Sequence, residues 1–426
     1  MKPIFYFVIV TICSSFSSAE IPCGPLKYPT SYESIQDYID VCKPNNAESL
    51  VASLPEEMRS KYTLIYQSRA LGEANYLFPR VIFFGLDAKT VASFGGHSSL
   101  RGYEAVEFIE FDETEKDFNL YAVRFPEDIG QTGPVTISEK NPNLCIACHV
   151  NRKPLWDTYE AWPGVYGSED DRRPASEQKW YNKFLSNTFG KVGRYKYFSE
   201  KEYPRTGFNQ EYYPERRNMY FAYALMELNG IKVANELGEI INTNPEIKIF
   251  RFAILHAMVC HKDRYSSDEN LLKFLPEEAL ASFNLNYSEI YENTKYHIKK
   301  SLSNRQARQD NNIPNNSYRL RNVEFYRMTA RLRWILENLG IKNLDNFSME
   351  FGETFTLYPG PHFNVGGLEV HLFKEIMERQ ESPKLYDLMS KREAEGDVNY
   401  NTDEKCEFIR SLSLKELSSF NSSEIN

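Results

Sequence analysis

The sequence predicts an α+β protein, with a small antiparallel β meander near the N-terminus and a larger, mainly α-helical region after it. Between residues 63 and 125, short runs rich in β-branched and aromatic residues are separated by Gly, Asp and Lys turn signals. From about residue 176 onward, apolar residues recur at helical spacing instead. The 426 residues, 42% hydrophobic and 14% aromatic, can fill a substantial core.

The first nineteen residues have the layout of a secretory signal peptide. Lys2 supplies a positive start, an apolar run extends from Ile4 to Ile12, and small residues lead to a cleavage site after Ala19. A run of roughly nine apolar residues is too short to cross a bilayer, which takes about 20. We therefore expect residues 1–19 to be removed on export, a periplasmic location, and no transmembrane segment in the mature chain.

The segment from residue 20 to residue 60 has the pattern of a small helical lead-in. Thr30 followed by Glu33 has the spacing of a capping box, which predicts a helix start. Ile35 and Ile39 then fall on one helical face. We expect this face to be buried against the rest of the fold.

Cysteine usage agrees with export, because disulfides persist in oxidising compartments. Cys42 falls on the apolar face of the lead-in helix, where Cys23 could reach it. The simplest pairing is Cys23–Cys42 and Cys260–Cys406, although four cysteines allow three connectivities. Two further cysteines belong to the motif discussed below.

The β-rich segment predicts strands joined by short turns. Parallel strands need crossovers of a dozen or more residues, so the short spacing favours an antiparallel meander. We expect one face of the sheet to be packed and the other to be partly wet. The runs concerned are Arg80–Phe84, Thr90–Phe94, Ala105–Phe111 and Phe118–Phe125.

Residues 126–175 are broken by many Pro and Gly residues and predict an irregular segment, whose aromatic residues argue against disorder. Helical signals follow. Asn229-Gly230 has the pattern of a helix end, and Asn244-Pro245 that of a helix start. Further helices are predicted over 287–300, over 318–339 and from Ser382-Pro383 onward. The predicted division is therefore a signal peptide (1–19), an N-terminal region with the meander (20–140) and a helical region that begins with the irregular loop (141–426).

One motif carries chemistry, the sequence Cys145-Ile146-Ala147-Cys148-His149. Two thiols separated by two residues can bond to the two vinyl groups of a haem, and the next residue is then placed to ligate the iron. The motif resembles the haem-attachment site of c-type cytochromes, and the resemblance covers these five residues alone. It implies one covalent haem c held by Cys145 and Cys148, with His149 as the metal ligand and the segment as a haem-bearing loop.

Three other interpretations compete for the motif. A structural disulfide with a nearby His fits the composition. A zinc site would need a second CxxC or His pair, which the sequence lacks. A thioredoxin-like redox pair needs a βαβ setting, whereas this motif follows a Pro- and Gly-rich loop.

Downstream residues are candidates for lining the haem. Trp156 and Trp162 offer large apolar rings, and Arg152 could bind a propionate. The alternative is that both tryptophans are ordinary core anchors of an irregular loop. A sixth ligand from Met or His would close the iron for electron transfer, whereas an open position would admit a small ligand. The sequence does not rank the candidates for this sixth ligand. These are His97, His256, Met258, His261 and His362.

Three functional hypotheses follow. The first is an exported monohaem electron carrier or redox module of the cell envelope, with an unidentified redox partner protein. The second is a haem enzyme or sensor with an open distal position, acting on peroxide or a small gas. The third is a non-haem, disulfide-stapled secreted binding protein. A formal charge of −9 with no basic run indicates no nucleic-acid partner.

Overall fold

The computed structural model has the predicted α+β architecture, a six-stranded antiparallel sheet followed by helices. The structure describes residues 23–67, 73–85, 87–126, 133–149, 164–167, 175–187, 193–197, 217–252, 254–255, 368–377, 381–385 and 407–416, with Arg152, Pro154 and Arg173. The predicted signal peptide, the Cys260–Cys406 pairing and the helices over 287–300 and 318–339 lie outside these residues, and the domain division stays a prediction.

Three short helices precede the sheet: α1 (Tyr32–Cys42), α2 (Ala47–Ser53) and α3 (Glu56–Arg59). The predicted capping box at Thr30 is wrong by one residue, because Ser31 and Ser34 cap α1 instead. Thr30 is buried, and its carbonyl oxygen accepts a hydrogen bond from the Thr90 hydroxyl at 2.5 Å. The packing of Thr30 against the sheet therefore moves the cap to Ser31. The predicted Cys23–Cys42 disulfide is confirmed, and it ties the N-terminal segment to the end of α1.

The strands follow one another in chain order across the sheet, and every neighbouring pair is antiparallel. They are β1 (Tyr62–Ile65), β2 (Arg80–Phe84), β3 (Thr90–Gly95), β4 (Ala105–Asp112), β5 (Asp117–Arg124) and β6 (Thr136–Ile137). The predicted meander over the four central strands is confirmed. The sequence patterns did not identify β1 and β6, since each is too short to show alternation.

The expected partly wet face is limited to part of the sheet: β2 and nearly all of β5 are buried on both sides, whereas β4 has half-buried positions such as Glu107 and Ile109. We call the two sides the α1–α3 face and the α6 face, where α6 is the long helix Arg217–Thr243. On the α1–α3 face, strand residues such as Phe83 and Phe108 pack with the N-terminal helices. On the α6 face, Phe84 packs against Phe221, with ring centroids 4.5 Å apart. Apolar residues on the two sides of β2 thus pack against different helices, Phe83 with the N-terminal helices and Phe84 with α6.

The later helices are α4 (Asn143–Ile146), α5 (Ala175–Asn187), α6, α7 (Pro245–Lys248) and α8 (Leu368–Ile376), with a 3-10 helix at Gly193–Tyr197 and a further helix over 407–416. The predicted helix end at Asn229-Gly230 is wrong, since α6 continues to Thr243. Gly230 is buried, and a Cβ atom there would lie 3.9 Å from the ring of His371 in α8. This is an ordinary van der Waals distance, and Gly230 is an interior position of α6 that faces α8 and does not end the helix.

Two predicted helix starts are confirmed. Pro245 begins α7, and the Ile247 amide donates to the side-chain oxygen Oδ1 of Asn244 at 3.4 Å. Helical residues also follow Ser382, whose hydroxyl accepts from the Leu385 amide at 3.4 Å. In both cases a capping side chain precedes a proline in the first turn, where its missing N–H is not needed.

Candidate functional site

The candidate motif begins where the chain leaves the free side of β5. The Asn141 amide donates to the Leu120 carbonyl oxygen at 2.7 Å, and the Leu120 amide donates to Asn141 Oδ1 at 2.9 Å. Asn141 has a left-handed backbone with φ of 57°, which asparagine tolerates better than most residues. This pair of hydrogen bonds fixes the entry of the motif against the middle of β5.

The CxxCH sequence itself folds as a short helical turn that begins in the second half of α4 and continues to His149. The His149 amide donates to the Cys145 carbonyl oxygen at 2.8 Å, and the Cys148 amide donates to the same oxygen at 3.1 Å. Residues at positions i, i+3 and i+4 of a helix lie on one face. The local fold therefore puts Cys145, Cys148 and His149 on the same side of the turn.

Neither motif cysteine is in a disulfide, and the two differ in exposure. Cys148 is exposed, whereas Cys145 is half-buried. Burial raises the pKa of the Cys145 thiol, and the nearby carboxylate of Glu107 raises it further, while Arg124 acts in the opposite direction. A raised pKa means that this thiol is protonated at neutral pH.

Glu107 and Arg124 locate Cys145 near one end of the α6 face. Strand alternation puts Arg80, Ser93, Glu107 and Arg124 on this face, and we call these four residues the polar end. Arg80 is buried, with only 6% of its side chain exposed. It donates to Ser93 Oγ at 2.6 Å and forms an ion pair with Glu107. The opposite end of the same face is apolar and covered by α6.

Arg152 closes the motif from its C-terminal side. Its backbone has φ of 57°, and its amide donates to the His149 carbonyl oxygen at 2.8 Å. Its guanidinium forms an ion pair with Asp117, and a second contact of 3.7 Å reaches Glu115. The predicted contact between Arg152 and a haem propionate stays a prediction. Trp156 and Trp162, the other predicted haem-lining residues, lie outside the described residues.

His97 is the one sixth-ligand candidate that falls within the described part of the chain. Its ring stacks on Phe78 with centroids 3.8 Å apart, and its Nδ1 lies 2.7 Å from Ser99 Oγ. Phe78 packs with the core of the α1–α3 face. The His97 ring is thus held on that side of the sheet, while Cys145 neighbours residues of the α6 face. The other candidates, His256, Met258, His261 and His362, lie outside the described residues.

Sequence reasoning missed the charged residues that surround the motif. Glu107 and Arg80 occupy strand positions that alternation would assign to an apolar layer. Lys232 interrupts an apolar stretch of α6, and it proves to be 1% exposed and bound to Asp117. These positions could have been recognised in the sequence as charged residues inside an apolar pattern. Such residues are almost never buried without a partner, so they indicate a buried ion pair.

Among the residues that the structure describes, no group of three or more His, Cys, Asp and Glu side chains is arranged to hold a metal ion. No helix within those same stretches combines the length and apolar character needed to cross a bilayer. Comparison of the chain with protein-family models, curated proteins and solved structures finds no match.

Proposed function

We propose that this chain is an exported protein of the cell envelope that carries one covalent haem c and works as an electron carrier or redox module. The helical turn supports the proposal most directly. It aligns two thiols and an imidazole at positions i, i+3 and i+4, and neither thiol is in a disulfide. The N-terminal signal-peptide pattern supports export, where covalent attachment prevents loss of the cofactor.

The residues of the turn suit the group that they would hold. Cys145 and Cys148 would anchor the macrocycle through thioether bonds, and His149 would supply the axial imidazole. When bound, the haem would supply one-electron redox chemistry between ferric and ferrous iron. The protein sets the potential through axial ligation, burial and nearby charge, and here Glu107 and Arg124 provide opposite charges beside Cys145.

A haem enzyme or sensor with an open distal position is the second candidate function. One observation favours it over a carrier ligated by His97. The His97 ring packs on Phe78 at the α1–α3 face, whereas Cys145 neighbours Glu107 of the α6 face. Carbon monoxide distinguishes the two functions, because it binds reduced iron only where a coordination position is open or weakly held. A spectral change on adding the gas would favour the enzyme or sensor.

Haem staining after denaturing electrophoresis tests the proposal itself. The full chain is expressed with its signal peptide in a host that attaches haem c, and the wild type should retain stain and gain mass. Cys145→Ala and Cys148→Ala should each weaken or abolish the stain. The matched control is Cys23→Ala/Cys42→Ala, which also removes two thiols but lies outside the motif and should retain the stain. A colourless wild type with the mass of the processed polypeptide would favour the non-haem, disulfide-stapled alternative.

A further inference from the structure

Asp117, the first residue of β5, joins three parts of the fold. One carboxylate oxygen, Oδ1, lies 2.7 Å from Lys232 Nζ in α6. The other, Oδ2, binds the guanidinium of Arg152 just after the CxxCH turn. Asp117 is only 8% exposed, so its ion pair with the buried Lys232 is shielded from bulk water and from salt, whereas the Arg152 side chain of the other pair is 33% exposed.

The connection continues from Arg152 to the proposed iron ligand. The Arg152 amide donates to the His149 carbonyl oxygen at 2.8 Å, which closes the C-terminal end of the turn. Arg152 is held in a left-handed conformation that most residues other than glycine avoid. The ion pair with Asp117 opposes relaxation of this backbone, because moving the residue would move the guanidinium away from its carboxylate.

Lys232 anchors the far side of the network. Its side chain is 2% exposed, and its ammonium group also binds Glu236 at 2.5 Å, one turn further along α6. A buried ammonium bound to two carboxylates has little freedom to move, because breaking either ion pair would leave a buried or half-buried carboxylate without its partner. Lys232 therefore holds Asp117 in place independently of the ion pair with Arg152.

We propose that Asp117 is a positioning residue for His149: it binds Lys232 and Arg152 with its two oxygens and so fixes the haem-binding turn against α6. This inference rests on the proposed function for the identity of the ligand that is positioned. It assigns Arg152 a role in orienting the turn through Asp117, independent of any contact with a propionate.

The haem-loaded protein provides the first test. Asp117→Asn should keep the covalent haem but change the spectroscopic signature of the iron–imidazole bond and shift the midpoint potential, and Asp117→Glu should restore both in part. Glu115→Gln is the matched control, because Glu115 also contacts Arg152 but is 61% exposed and 3.7 Å away. Spectra and potentials of Asp117→Asn that equal those of Glu115→Gln and the wild type would overturn the proposal.

Arg152→Gln is a second variant that keeps the buried Asp117–Lys232 pair intact and so guards against a general folding defect. It should reproduce the spectral change of Asp117→Asn. Native spectra in a folded Arg152→Gln protein would contradict the proposed role of the ion pair.

A measurement without haem separates this inference from the proposed function. In protein matured without the cofactor, a looser turn should expose the half-buried Cys145 more often. Its alkylation by iodoacetamide should be about tenfold faster in Asp117→Asn, as expected for loss of one charge-assisted hydrogen bond. Equal alkylation rates in Asp117→Asn, Glu115→Gln and the wild type would refute the anchor even if haem binds. A wild type that never binds haem, with faster alkylation in Asp117→Asn, would refute the proposed function and the role at iron but retain the anchored turn.

Discussion

Lys61 gives the fold a pH dependence that can be measured. The residue joins α3 to β1 and is 1% exposed. Burial lowers the pKa of its ammonium group from 10.5 to about 8, although the carboxylates of Glu57 and Asp87 favour the charged form. We predict that replacing Lys61 with Met removes this pH dependence, because Met has similar length and no titrating group.

The sign follows from proton binding in the two states. Below pH 8 both states carry the proton, and the folded state bears the full cost of burying the charge. Between pH 8 and 10.5 the unfolded state binds more protons, so the contribution of Lys61 to stability rises with pH. Each pKa unit corresponds to about 1.4 kcal/mol, so the cost at pH 7 is about 3 kcal/mol. Most of this cost should disappear by pH 10.

The assay is urea unfolding of the wild type and Lys61→Met at pH 7, 8, 9 and 10. The stability advantage of Lys61→Met should shrink by about 2–3 kcal/mol over this range. Comparing the two proteins cancels other titrating groups, such as Cys145, whose raised thiol pKa acts in the opposite direction. Lys27→Met, which makes the same replacement at an exposed lysine, is the matched control. A constant difference between Lys61→Met and the wild type would refute the reasoning.

Three further predictions concern local packing and chain constraints. Gly238→Ala should lower the free energy of unfolding by about 1 kcal/mol, because the added Cβ would lie 2.5 Å from the Glu375 Cβ. This overpacking should outweigh the helix propensity gained from alanine. Chemical denaturation measures the change, and a stabilised variant would show that α8 can shift to make room. Cys23→Ala/Cys42→Ala should lower the free energy of unfolding by about 3 kcal/mol, since the disulfide closes a loop with a sequence separation of 19. Thermal unfolding measures the loss, and a curve that matches the wild type would contradict this loop-entropy argument. Asn46→Ala should lower the free energy of unfolding by about 1 kcal/mol, because it removes the N-cap of α2. Thermal melting followed by circular dichroism measures the loss, and an unchanged midpoint would mean that the cap does not contribute to stability.

Features that depend on neighbours along the chain could be read from the amino-acid pattern. Four strands were identifiable because β-branched and aromatic runs were separated by turn residues, and the structure confirms their antiparallel order. The Cys23–Cys42 pairing was the simplest of three possible connectivities, because helical periodicity put Cys42 on the apolar face of α1 where Cys23 could reach it, and the structure confirms it. The spacing of Cys145, Cys148 and His149 is likewise local, so the proposed chemistry could be inferred without a fold.

Which layers pack together became clear from the folded chain alone. The apolar end of the α6 face is covered because α6 returns to β2 and β5 from far along the chain, and no periodicity within a strand encodes that return. Asn229-Gly230 has the pattern of a helix end, yet in the structure it is an interior position of α6, which continues to Thr243. The Asp117–Lys232 ion pair joins residues more than a hundred positions apart. A lysine inside an apolar stretch signals that a partner is needed, but which residue supplies that partner depends on burial and charge brought together by the whole fold.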